Sequence, residues 1–135
     1  MAAYVDSIDG VTADRLQGFF VGWPNPPSAE THLRILAGSD HVVMAIDDKS
    51  DRVVGFITAI SDGVLSAYMP LLEVLPDYQG QGIGKELMRR MLEKLRGLYM
   101  IDLLTDRELE TFYSPLGLKP GFAMVIRDFE RQSGL

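Results

Sequence analysis

The stretch Leu71-Leu72-Glu73-Val74-Leu75-Pro76-Asp77-Tyr78-Gln79-Gly80-Gln81-Gly82-Ile83-Gly84-Lys85 sets an apolar run against a glycine-dense turn, and an amphipathic pattern follows at once. The run reads as a strand, the turn as a loop opening a helix. Gly80, Gly82 and Gly84 stand at alternate positions, so the backbone there can curl with its amides inward and let a ligand come close. The first N–H groups of a helix lack intrahelical partners, and the helix dipole adds partial positive charge. Together these suit a phosphate or pyrophosphate. The turn is therefore expected to hold a phosphorylated cofactor; the alternative is a flexible strand-to-helix connector that is merely glycine-rich.

Spacing narrows the cofactor. A dinucleotide fingerprint needs glycine where Lys85 stands, and an NTPase phosphate loop needs glycine at Gln79 and Ser or Thr at Glu86. What fits is Gln-x-x-Gly-x-Gly, as Gln79, Gly82 and Gly84. This resembles the acetyl-CoA pyrophosphate loop of the GCN5-related N-acetyltransferases (GNAT). A second stretch, Phe112-Tyr113-Ser114-Pro115-Leu116-Gly117-Leu118-Lys119-Pro120, is similar to the Phe-Tyr, Leu-Gly-Phe ending common in that family.

Outward from the turn, the order of elements also matches. Ala3 to Ile8 reads as a strand, Thr12 to Val21 as a helix capped by Thr12, and Ala29 to Ala37 as a second helix capped by Ser28. His41 to Ile46 and Arg52 to Ile60 are rich in β-branched residues and form a hairpin, and Val64 to Leu75 makes a third strand interrupted by Pro70. A proline cannot donate to a ladder, so a bulge or break is expected there. Lys85 to Arg96 carries Leu87, Met88, Met91, Leu92 and Leu95 along one face. Tyr99 to Leu104 is a strand that must run parallel to the one before the helix. Arg107 to Tyr113 is a short helix, Phe122 to Arg127 a last strand, and Asp128 to Leu135 a tail expected to fray. The fold class is α/β with a mixed sheet. The resemblance implies a central twisted sheet flanked by helices, its two parallel strands splayed apart, in one domain over residues 1–135.

Composition bounds the function. With 135 residues, 47% apolar and 24% charged, the chain is long enough for one packed core. A net charge of −6 disfavours a nucleic-acid partner and mildly favours a cationic substrate. There is no cysteine, which removes thiolate nucleophiles and cysteine metal sites. His32 and His41 lack metal-ligand spacing, so no metal is expected. Met1 to Asp6 has no basic, then apolar, leader pattern, and no apolar stretch approaches a membrane span. A cytoplasmic location without membrane attachment is the expectation.

The resemblance implies transfer of acetyl from acetyl-CoA to a primary amine by direct attack in a ternary complex. The acceptor is expected to be a small molecule, with a protein N-terminus or lysine, or a non-catalytic acyl-CoA-binding regulatory domain, as alternatives. A homodimer is common in the family. By the same resemblance, Gln79, Gly80, Gln81, Gly82, Ile83, Gly84 and Lys85 bind the cofactor phosphates, and Leu72 and Val74 the pantetheine arm. Tyr113 matches the general acid near the sulfur, a role suited to a phenol that stays protonated at neutral pH; it could instead simply fill the helix–sheet interface.

Glu73 lies amid apolar neighbours, where an acid is costly to bury. It could bind the substrate ammonium, take its proton through water, or pair with a nearby Lys or Arg. Asp102 is a second acidic candidate for the substrate, and Trp23 could wall the acceptor site or belong to the core. Two departures from the family stand out. Asp106 occupies a position where many members carry Asn, and Tyr68 one where the histone-acetylating branch carries a catalytic glutamate.

Overall fold

The computed structural model describes residues 1–135. Strand β1 (Ala2–Val5) pairs antiparallel with β2 (His41–Asp47), and β2 with β3 (Val53–Ser61). Two short strands, β4 (Ser66–Tyr68) and β5 (Leu72–Val74), follow one another along β3, and β6 (Met100–Asp102) runs parallel to β4. The sheet is mixed, as the sequence predicts.

Each face buries a different set of side chains because strand residues alternate, with the phase shifted once on β3 at Val54, where Ala45 pairs with Gly55 but Ile46 with Val53. Val43, Ala45, Val54 and Ile57 face Leu87, Met88, Met91 and Leu95 of helix α2 (Ile83–Lys94). Val42, Met44 and Phe56 face Leu16, Phe20 and Leu36, the last from helix α1 (Ala29–Gly38). Helix α1 starts where the sequence signals it, the Ser28 hydroxyl accepting from the Thr31 N–H at 3.1 Å. Full burial of each large apolar side chain on α2 stabilises the fold by roughly 1.5–3 kcal/mol.

Pro70 breaks the third strand as expected. Ile60 pairs with Tyr68 and Ile57 with Leu72, so three steps along β3 answer four along its partner, and the extra residue is a bulge at the proline. The same break opens the sheet. Tyr68 lies opposite Asp102, and the Met69 N–H donates to the Asp102 carbonyl at 2.9 Å. Past that point β5 pairs with β3 alone, and the two parallel strands part.

Three expectations are corrected. Of the helix over 12–21 only Ala13–Leu16 form, as a 3-10 turn, because Gly18 and Phe20 take left-handed backbone, φ +93° and +62°. The strand over 122–127 makes no ladder: Phe122, Met124 and Ile126 are 94, 88 and 93% exposed, and an open cavity separates them from β6. The tail does not fray. Phe129–Arg131 is a 3-10 turn capped by Asp128, and the Asn25 N–H donates to the Gln132 side chain at 2.9 Å. Elsewhere the differences are boundaries: α2 begins at Ile83, and the strand expected over 99–104 shortens to β6.

Candidate active site

The glycine turn is pinned before it begins. The Tyr78 hydroxyl donates to Asp47 at the end of β2, at 2.7 Å, and the Gln79 side-chain amide donates to the Val74 carbonyl at 3.0 Å. Gln79 thus holds the loop onto β5 with its own side chain. Gly80 and Gly82 then take φ of +78° and +84°, with open space where a Cβ would sit. Side chains there would be strained and would project into that space.

Gly82 caps α2, and no side chain caps the helix in its place. The amides of Ile83, Gly84 and Lys85 therefore face outward at the positive end of a 12-residue helix. Ile83 contributes backbone only, since its side chain is buried in the core. Lys85 is exposed and makes no ion pair, whereas Glu86 is neutralised by Arg89 and Arg90 at 2.5 and 2.7 Å, which hold its carboxyl at about 2. The residues present suit a pyrophosphate.

Gly84 has a different task from its neighbours. Its Cα faces Phe112, whose ring would meet an added Cβ at an ordinary contact distance of 3.5 Å, so helix α3 (Glu110–Tyr113) packs directly beside the start of α2. Phe112 in turn stacks edge-on to Tyr113, ring centroids 4.9 Å apart. The two sequence marks meet through this contact, which spacing alone does not announce.

The edge of β5 faces the splay. The Leu71 carbonyl and the Leu75 N–H bond to β3, so the antiparallel alternation turns the backbone of Leu72 and Val74 to the open side. The Leu72 N–H and carbonyl and the Val74 N–H present a short unpaired strand edge, which an amide-bearing arm can extend.

Tyr113 is half-buried and lines a cavity of about 1250 Å³ together with Tyr68, Asp102, Thr105 and Asp106. Burial pushes its phenol above the usual value of 10, against a hydrogen bond from Thr105 that works the other way. It remains protonated at neutral pH. Asp102 is exposed at the mouth of the splay rather than buried among apolar side chains.

Glu73 proves to be tied to the chain itself. Its two carboxylate oxygens accept from the Phe20 and Val21 N–H groups at 2.8 and 3.2 Å. No Lys or Arg pairs with it. The left-handed turn at Phe20 is what aims both amides at it, and Phe20 carries Trp23 at a ring distance of 4.9 Å. Glu73 and Trp23 thus belong to one wall, built from β5 and the 19–23 loop. Phe20 is core and Trp23 is its half-exposed edge.

A mixed sheet split between parallel strands, with a glycine loop and helix N-terminus at the split, is the architecture of the N-acetyltransferases. The model of the acetyltransferase (GNAT) family matches residues 8–117, and the chain belongs to that family. GCN5-related N-acetyltransferase 1, chloroplastic, of Arabidopsis thaliana is 33% identical over 113 residues, covering 81% of this chain and 57% of its own length. This chain therefore spans little more than half of that relative. An acetyltransferase candidate from Deinococcus radiodurans R1, solved by crystallography, is 45% identical with a TM-score of 0.96 over 99% of this chain and 93% of its own. An aminoglycoside N-acetyltransferase in complex with CoA shares the fold alone, at 14% identity and a TM-score of 0.67 over 95% of this chain and 94% of its own.

Proposed function

We propose that the chain transfers the acetyl group of acetyl-CoA to a primary amine of a small molecule, by direct attack while both are bound. The observation that carries this reading is the junction of three features at one split: the unpaired edge of β5, the outward amides of Gly82–Lys85, and Tyr113 held beside them through Phe112 and Gly84. The donor supplies an activated carbonyl whose sulfur can leave.

Backbone amides of the loop and helix start, with Lys85, hold the pyrophosphate. Leu72 and Val74 hold the pantetheine arm. The amine nitrogen bonds to the carbonyl carbon as the carbon–sulfur bond breaks, and the Tyr113 hydroxyl gives its proton to the departing sulfur. The acceptor ammonium loses one proton to solvent before it attacks and the new amide nitrogen loses a second, while solvent returns one proton to the Tyr113 phenolate. Asp102 at the mouth, and the net charge of −6, favour a cationic acceptor, while Trp23 offers it an aromatic face. Glu73 acts in this scheme as a positioning residue that fixes the Trp23 wall.

Steady-state kinetics on Tyr113→Phe test it, with a panel of small amines and peptides. The expected outcome is a kcat lower by ~10²–10⁴ with acetyl-CoA affinity changed only a few-fold. Equal losses in both would remove the acid role. Binding without turnover on any amine or peptide would leave an acyl-CoA-binding domain instead.

A further inference from the structure

The sheet has two faces at the splay, and the Tyr113 acid stands on only one of them. Tyr113 packs with Leu72 and Val74 into the core beneath α2. Ala67 and Ile101 point to that side as well, so their sequence neighbours Tyr68 and Asp102 point to the opposite face. Ile60 and Glu73 share this second face, since Ile60 pairs with Tyr68 and Glu73 with Phe56, whose ring packs against Phe20 on the α1 side. Trp23 reaches the same face through Phe20.

The two carboxylates on that face differ in what they are free to do. Both oxygens of Glu73 are taken by the Phe20 and Val21 amides. Asp102 is exposed, and no Lys or Arg pairs with it. Its backbone is fixed all the same. Tyr68 and Asp102 are the last paired residues before β4 and β6 part, and the Asp102 carbonyl accepts from the Met69 N–H at 2.9 Å. A free carboxylate thus stands on a held backbone at the lip of the opening, with Tyr68 as its strand partner and Tyr113 lining the same cavity.

We infer that Asp102 is the proton acceptor of the transfer, working from the face opposite the Tyr113 acid. This rests on the reaction proposed above. The bond that forms and the bond that breaks point in different directions from the carbonyl carbon, so a base for the nitrogen and an acid for the sulfur belong on different sides of it. The neutral amine bonds through nitrogen to that carbon, and the carbonyl π pair moves to oxygen. The nitrogen is now cationic on a tetrahedral carbon, where it is far more acidic than an alkylammonium, and the Asp102 carboxylate takes its proton. The pair returns from oxygen, the carbon–sulfur bond breaks, and Tyr113 protonates the sulfur. Asp102, being exposed, passes its proton to water, and the phenolate recovers one from water. Before attack the same carboxylate attracts the ammonium form of the acceptor, and the Tyr68 ring offers that cation a face.

Steady-state kinetics on wild type, Asp102→Asn and Asp102→Glu test it, with phenethylamine and O-benzylhydroxylamine as acceptors. The two amines have nearly the same shape, and only the first is charged at neutral pH. On O-benzylhydroxylamine, Asp102→Asn should lower kcat by about 10²-fold with KM unchanged, because there is no ammonium to attract. On phenethylamine KM should rise as well. Asp102→Glu keeps the carboxylate and should recover about ten-fold of that loss. The rise of Tm with acetyl-CoA should be the same in all three proteins. A kcat within about three-fold of wild type on both amines overturns the inference. So does a higher KM for phenethylamine with kcat intact, which leaves Asp102 as a charge partner alone, and so does Asp102→Glu as slow as Asp102→Asn. An acetyl-CoA shift lost in Asp102→Asn overturns it too, since the defect then lies in the donor site. Wild type that turns over neither amine removes the proposed reaction itself, and this step with it.

Discussion

His32 is the residue whose surroundings differ most from its chemistry. It is 1% exposed, ringed by Phe19, Phe20 and Phe56 at centroid distances of 5.3, 4.9 and 4.4 Å, and neither ring nitrogen has a hydrogen-bond partner. Burial pushes its pKa from 6.5 down to about 4. Below 6.5 the unfolded chain takes up a proton that the folded chain refuses, so this contribution is complete above 6.5 and is lost as pH falls toward 4. Integrated over that window the loss approaches roughly 3 kcal/mol. Asp62 and Glu86, held at about 2 by backbone N–H groups and by arginines respectively, lose their contributions only as pH falls below their ordinary values of 3.8 and 4.5. Urea unfolding of wild type and His32→Leu between pH 7 and 4 checks this: the wild type should lose stability faster, and parallel curves would show that the ring is charged or hydrated when folded.

At the scale of elements, the junction depends on how closely α2 lies on β3. A Cβ on Gly55 would come within 3.1 Å of Leu87 and 3.2 Å of Ile83, with the Glu73 carbonyl at 3.4 Å. Gly55 is thus the point where helix and sheet touch, directly beneath the helix start. Overpacking it should push α2 outward and cost about 1–3 kcal/mol. Gly55→Val should show that loss in denaturant and also weaken acetyl-CoA binding, because the helix amides move with their element. A variant as stable as wild type would mean that Ile83 and Leu87 can shift aside.

For the whole molecule, binding and folding are linked. A ligand that binds only the folded chain adds about 2.7 kcal/mol at 100 times its Kd. Acetyl-CoA in excess should therefore raise the Tm of wild type plainly. Gly82→Glu, which puts a strained side chain and a negative charge at the helix start, should fold and show no such rise. If neither protein shifts with acetyl-CoA or free CoA, the phosphate reading of residues 79–84 is wrong.

Local patterns determined much of this protein before any tertiary contact was known. The glycine spacing at 80, 82 and 84, the bulge at Pro70, the β2–β3 hairpin and the apolar face of α2 are all properties of neighbouring residues, which repeat with the period of their element. The tertiary structure decided what distant residues do to one another. Phe112 packs against Gly84, Tyr78 reaches Asp47, and Glu73 binds the amides of Phe20 and Val21, turning an expected helix into a left-handed loop. Pattern also promised a strand at 122–127, because its side chains alternate correctly. Whether such a strand finds a partner depends on where the sheet ends and on what anchors Gln132, and no local period encodes either.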